Sequence, residues 1–188
     1  MRLFVALNLP DSTRPEVYEA IAPLRRAAPS VRWVLPETLH ITLKFLGEVP
    51  TQDLEQVLHS LRGAAGSARE FTLQLGGLGA FPNLRRPRVF WLGASGAGAL
   101  PDLQARVESE LETLGFEREA RPFHPHLTLG RVGQPLPSEE LRQAERATAE
   151  VEYQTAVEVR SVELMQSRLS RGGARYEIVE RVPLHKRS

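Results

Sequence analysis

Along this chain the apolar positions change period from two to about 3.6 and back, and a proline, a glycine or a capping residue marks most of the changes. Residues 2–9 alternate loosely and stop at Pro10-Asp11, which predicts a strand running into a turn. Asp11, Ser12 and Thr13 offer caps, Pro15 suits a first helical turn, and Val17, Tyr18, Ile21 and Leu24 recur at helical spacing. One helix up to Pro29 is expected. Residues 31–34 and 38–47 read as strands split by Pro36, and Thr51 opens a second helix with Leu54, Val57, Leu58 and Leu61 as its stripe, ending near Gly63.

The second half starts similarly, with strands at 71–75 and 88–93 around a Gly/Pro-containing stretch. Within that stretch Gly76-Gly77-Leu78-Gly79 reads as a turn: it carries no lysine and lacks the spacing of a phosphate-binding loop. Pro101 starts a helix striped by Leu103, Val107, Leu111 and Leu114 and ended by Gly115. A strand at 124–132, a helix at 138–149, and a hairpin of 155–168 with 174–183 turning at Gly172-Gly173 complete the pattern. The two comparable sets of elements predict an α+β fold. Two pseudo-symmetric lobes of mostly antiparallel sheet would face a central cleft, helices outside, as a single bilobal domain over residues 1–188.

The candidate chemistry lies in a repeat. His40-Ile41-Thr42-Leu43 recurs as His126-Leu127-Thr128-Leu129, once in each set. In a strand, residues i and i+2 share a face, so each tetrad offers an imidazole beside a hydroxyl while Ile41, Leu43, Leu127 and Leu129 face a core. Two imidazoles on opposing walls suit an in-line displacement at phosphorus, where one group takes a proton and another gives one. An ordinary pKa of about 6.5 lets each hold or lack a proton near neutrality. Thr42 and Thr128 can donate to the non-bridging oxygens, an effect of about 2.7–4 kcal/mol each in dry sites.

Composition narrows the choices. Absent cysteines exclude disulfides, thiolate metal sites and cysteine nucleophiles. The net charge of +1 gives no case for non-specific polyanion binding, yet of 24 basic residues only Lys44 and Lys186 are lysines. That bias is compatible with forked phosphate recognition and equally with a GC-rich gene. No run approaches the roughly 18 apolar residues of a membrane span, and residues 1–8 lack the apolar region of a signal peptide. A cytoplasmic location is expected.

With these flanks the chain resembles the 2H phosphoesterase superfamily, and within it the RNA 2′,3′-cyclic phosphodiesterases, also called 2′-5′ RNA ligases. The resemblance rests on Arg2-Leu3-Phe4-Val5-Ala6-Leu7, on the first tetrad continued by Lys44-Phe45-Leu46-Gly47, on Arg86-Pro87-Arg88-Val89-Phe90-Trp91-Leu92-Gly93, and on Pro122-Phe123-His124-Pro125 leading into the second tetrad and Gly130-Arg131. It implies a bilobal antiparallel fold, no metal or other cofactor, and opening of RNA 2′,3′-cyclic phosphate ends, or of small cyclic nucleotides, to 2′-phosphomonoesters. It also implies the reverse use of the site to join RNA ends. By the same analogy His40 is the proton donor and His126 the proton acceptor, which the nearly identical tetrads cannot themselves distinguish.

Four further residues are candidates for substrate contact. Arg131 matches a family position near the substrate, although parity puts it opposite His126 and Thr128 unless the strand bends at Gly130. Lys44 shares the face of His40 and Thr42, while Phe4 and Phe45 offer rings for a base. A site completed within one chain needs no partner, so a monomer is expected. Two alternatives remain: a metallohydrolase using His124, His126 and His40 as ligands, and a module that holds RNA ends without turnover.

Overall fold

β1 (Arg2–Asn8) is apolar on both faces, as a strand in the middle of a sheet must be. Leu3, Val5 and Leu7 enter the main core, and Phe4 and Ala6 join a small second cluster with Met165 on the other side. The computed structural model describes residues 1–170 and 173–187. After β1 come α1 (Thr13–Ala20), α2 (Ala22–Ala27), β2 (Arg32–Trp33), a 3-10 turn (Pro36–Thr38), β3 (His40–Glu48), α3 (Leu54–Ala65) and β4 (Phe71–Phe81). The chain continues through β5 (Val89–Ser95), α4 (Ala99–Glu112), β6 (His126–Arg131), α5 (Ser138–Glu150), β7 (Gln154–Val159), β8 (Ser161–Ser170) and β9 (Gly173–Pro183).

All strand pairs are antiparallel, in the order β7-β4-β5-β6-β3-β1-β8-β9 with β2 added beside β6. The expected lobes are the two halves of this one sheet, which curls into a half-barrel. Their seam is a single bridging pair, Ile41 with Leu127, both fully buried. Helices cover the convex side: α3 and α4 pack together behind β3, β8 and β9, while α2 packs on α5 and α5 on β4. The predicted stripes supply the packing surfaces, since Val57, Leu58, Leu61, Leu103, Val107 and Leu111 are all buried.

Several elements differ from expectation. The first helix is two, because Pro23 near the start of α2 has no N–H to continue the ladder past Ile21. The strand expected at 71–75 runs on to Phe81, and the Gly76-Gly77-Leu78-Gly79 stretch is a bulge within β4, where the register to β5 shifts between Leu75 and Leu78. Gly79 is needed there, since a Cβ would stand 2.3 Å from the Trp91 ring. The strand expected at 155–168 breaks at Arg160 into β7, which pairs with β4, and β8, which pairs with β1, so the chain passes from one lobe to the other. Of the turn expected at Gly172-Gly173, Gly172 lies outside the described residues and Gly173 opens β9, paired with Ser170.

Both tetrads carry the same irregularity. Val5 pairs with Lys44 but Ala6 with Thr42, so Leu43 is an extra residue in β3. Phe90 pairs with Gly130 but Trp91 with Thr128, so Leu129 is the extra residue in β6. An extra residue reverses the facing of everything after it. Lys44 is therefore turned away from His40 and Thr42, correcting its assignment as a cleft cation. Its ammonium is buried beneath the sheet, 2.5 Å from Glu108 Oε2 on α4 and donating to the Glu117 carbonyl at 2.7 Å.

Removing one member of a buried ion pair leaves the other charge desolvated. Lys44→Ala is expected to cost about 3–5 kcal/mol in denaturant unfolding, and Lys44→Met combined with Glu108→Leu to recover most of that loss. A Lys44→Ala protein of undiminished stability that had lost its turnover would return Lys44 to the cleft.

Candidate active site

On the concave side of the seam lies a cavity of about 540 Å³, within the range of small-molecule sites. Because Ile41 and Leu127 pair and point into the core, the neighbouring positions His40, Thr42, His126 and Thr128 point the other way, and all four line the cavity. Continuing the antiparallel alignment by one residue either way sets His40 across from Thr128 and Thr42 across from His126. The two imidazoles are thus diagonal neighbours, a relation that spans about 7–8 Å between backbones. Both rings open onto the same cavity.

Each ring is held the same way. His40 Nδ1 lies 2.7 Å from the Thr38 carbonyl and His126 Nδ1 lies 2.6 Å from the His124 carbonyl, in both cases two residues upstream. A carbonyl only accepts, so each Nδ1 carries the hydrogen and donates it, which leaves Nε2 as the nitrogen available to the cavity. Ring packing completes the hold. Phe4 and Tyr176 lie 5.0 Å from His40, the latter edge-on, and Phe81 lies 5.0 Å edge-on from His126.

Burial in this apolar surround lowers the pKa of both imidazoles. For His40 desolvation outweighs the Thr38 hydrogen bond, and Arg131, Arg14 and His126 add positive charge, bringing it from 6.5 to about 4. For His126 desolvation again leads, opposed by the His124 hydrogen bond and aided by the charges of His124 and Arg131. Arg14 acts on His40 by a second route. Its guanidinium donates to the Glu37 carbonyl, in the 3-10 turn that presents the Thr38 carbonyl.

Arg131 does reach the cavity, since the bulge at Leu129 supplies the bend on which its placement depended. Gly130, the residue turned outward there, is packed against Trp33, where a Cβ would stand 2.7 Å from the ring. Phe45 occupies the equivalent position after Leu43 and is 71% exposed on the cavity wall. Phe4 also borders the cavity but is only 3% exposed, so it secures His40 rather than offering a free face to a base. The lining includes Arg2 and Arg131 and no carboxylate.

Sequence reasoning missed Thr38 and His124 as the carbonyls that position the rings, and also Arg14, Phe81 and Tyr176. The two carbonyls were detectable only as a spacing, since a backbone acceptor leaves no residue signature. Tyr176 arrives from the last hairpin, whose pairing with β1 no local pattern announces. His124, weighed as a metal ligand, turns its ring to Phe81 and Trp91 at 5.0 and 5.1 Å and lines a neighbouring cavity. Among the described residues no group of three or more His, Cys, Asp or Glu side chains converges, and no helix is long and apolar enough to cross a membrane.

Comparison with known proteins gives the same family as these features. The model of the 2′-5′ RNA ligase superfamily matches residues 10–171. An RNA 2′,3′-cyclic phosphodiesterase of Methanothermobacter thermautotrophicus is 34% identical over 180 residues, 96% of this chain and 97% of that protein. Among solved structures, TT0787 of Thermus thermophilus superposes with a TM-score of 0.84 at 29% identity, covering 100% of both chains. Escherichia coli LigT complexed with 3′-AMP superposes with a TM-score of 0.74 at 31% identity, covering 97% of each. Paired His-x-Thr strands, a shared concave cavity and end-to-end similarity agree, and the chain belongs to the 2′-5′ RNA ligase superfamily of 2H phosphoesterases.

Proposed function

We propose that this chain opens RNA 2′,3′-cyclic phosphate ends to 2′-phosphomonoesters without a metal, His40 giving a proton and His126 taking one. The observation that carries the reading is the pair of imidazoles lining one cavity, each with Nδ1 tied to a carbonyl and Nε2 left for chemistry. His126 Nε2 removes a proton from water as its oxygen attacks phosphorus. The bond from phosphorus to the 3′ oxygen breaks in line, and His40 Nε2–H protonates that oxygen. The product carries a 2′-phosphate and a 3′-hydroxyl, and a proton must pass from His126 back to His40 before the next turnover. A 5′-hydroxyl in place of the water gives 2′-5′ ligation by the same two transfers.

The two environments differ. His40, the more strongly depressed, gives up a proton more readily than His126, so a lone proton on the free enzyme rests mostly on His126, and the bound phosphate anion must raise His40 for it to serve as donor. Thr42, Thr128 and Arg131 supply donors to the non-bridging oxygens, where charge gathers. Phe45 offers its exposed ring to the base, and Phe4 keeps His40 in place. Every group comes from one chain, so a monomer suffices.

Incubation with a 2′,3′-cyclic nucleotide in EDTA should give undiminished turnover to the 2′-phosphate. Chelator-sensitive turnover points to a metallohydrolase, and binding without turnover to an RNA-end module. His40→Ala and His126→Ala should each lower kcat by about 10²–10⁴ with little change in melting temperature. Recovery of a 3′-phosphate would reverse the leaving group.

The pH profile has a defined sign. In the free enzyme the base must be neutral and the acid protonated, and both pKa values lie below 6.5. Hence kcat/KM, which reports the free enzyme, should peak below pH 6.5. The kcat profile should peak higher, because a bound phosphate anion raises both imidazoles. Arg131→Gln removes a positive charge and should move the kcat/KM peak upward. A kcat/KM optimum at or above pH 7 in the unchanged protein would contradict this environment.

A further inference from the structure

We propose that the cavity beyond His126, on the side away from His40, holds an uncharged nucleoside with a free 5′-hydroxyl, the acceptor whose oxygen replaces water at phosphorus. This rests on the phosphodiesterase reading and adds to it a separate site for the second reactant. The cavity, of about 560 Å³, is the one that His124 lines. Backbone register puts it on the concave surface. Gly93 of β5 is the cross-strand partner of His126, the bulge of β4 sets Gly76 and Gly77 against Gly93, and Gln154 of β7 pairs with Gly76. Cross-strand partners share a face, so His126, these glycines and Gln154 form one row across four strands. Two residues along β5, Ser95 opposes Gln74 on the same face.

The row is hollow in the middle because its central positions lack side chains. Gly93 has to: a Cβ there would stand 2.7 Å from the Gly76 carbonyl. Main chain therefore floors the hollow, with His124 toward the catalytic cavity, Gln154 on the far side, and Ser95 and Gln74 at one end. Phe123 and Pro125 add apolar surface. At about 4.8 Å per strand, Gln154 lies about 14 Å across the sheet from His126, room for a nucleoside lying flat. The ring of His124, 6.2 Å from that of His126, stands between the two cavities.

The lining selects its occupant by charge. The catalytic cavity has Arg2 and Arg131 to meet a phosphate, whereas this one has no arginine, lysine or carboxylate. An uncharged ligand suits it. Its polar groups are the two carboxamides, the Ser95 hydroxyl and the His124 ring, and among the described residues no protein hydrogen bond engages the first three side chains. A carboxamide offers a donor and an acceptor together, the complement of a base edge, and Phe123 offers a ring for stacking. Sheet order supplies the direction. His40 stands on β3, His126 on the adjacent β6, and the cavity lies beyond it over β5, β4 and β7. Entering and departing oxygens are in line across phosphorus, so with His40 protonating the departing 3′ oxygen the acceptor arrives from the side of His126. There its 5′ oxygen bonds to phosphorus and passes its proton to His126 Nε2. The bond from phosphorus to the 3′ oxygen breaks, His40 Nε2–H protonates that oxygen, and the product is a 2′-5′ diester.

The test takes 2′,3′-cyclic AMP as saturating donor and adenosine as acceptor, and reads the initial rates of dinucleotide and 2′-AMP formation in the unchanged protein and in the double variant Gln74→Ala, Gln154→Ala. In the unchanged protein dinucleotide formation should level off as adenosine rises, as a bound acceptor requires, while methanol, too small to fill the cavity, should give its ester in linear proportion. 5′-Deoxyadenosine, which lacks the attacking oxygen, should suppress the dinucleotide. The variant should need roughly tenfold more adenosine for half-saturation, the worth of two ordinary hydrogen bonds. Hydrolysis without adenosine and unfolding should be unaltered, since both side chains are exposed. Dinucleotide formation linear in adenosine, hydrolysis with no dinucleotide, or a variant with unchanged half-saturation overturns the acceptor site and leaves the phosphodiesterase reading intact. No turnover of the cyclic nucleotide by the unchanged protein defeats that reading and the acceptor site with it.

Discussion

One backbone pairing, Ile41 of β3 with Leu127 of β6, governs the placement of the chemistry. It closes the two halves of the sheet into one surface, and both side chains are committed to the core. The strand period of two then leaves no freedom to the residues on either side: both His-x-Thr pairs must open onto the concave face. A slip of one residue at this seam would exchange the imidazoles and hydroxyls for leucines. Core packing and proton chemistry are therefore not separable here, since the apolar half of each tetrad sets the orientation of its polar half.

The extra residue at Leu43 and Leu129 extends the internal symmetry beyond the tetrads. Past it, Lys44 corresponds to Gly130 and Phe45 to Arg131. The outward-turned pair has diverged according to what lies behind each strand: Glu108 demands a cation on one side, and Trp33 permits no side chain on the other. The cleft-facing pair differs too, an aromatic ring on one wall and a guanidinium on the other. The lobes thus match at the positions proposed to transfer protons and differ at those proposed to contact the nucleotide.

The sequence conveyed most where a single period ran undisturbed. Both tetrads, the stripes of α3 and α4 and the strand character of residues 2–9 follow from regular alternation, and the structure has them where expected. Parity failed at one-residue insertions, which have no strong local signature: Lys44 was placed in the cleft, and Arg131 depended on a bend that proved to be real. Pro23 split a helix whose apolar spacing continued across it. The glycines of β4 read as a turn because they accommodate a bulge and the Trp91 ring, both products of pairing with β5. The exchange of lobes at Arg160 depends on which distant edges are open, and no window of a few residues contains that information. Tyr176 was illegible for the same reason.

The grip on each imidazole comes from main chain. A carbonyl is present whatever side chain its residue bears, so positions 38 and 124 impose no identity, and threonine serves at one and histidine at the other. The two halves can therefore differ in sequence at those sites without disturbing the tautomers, and the rings are clamped alike although the segments that carry the carbonyls do not match. The support that both rings share is one that leaves no trace in side-chain identity.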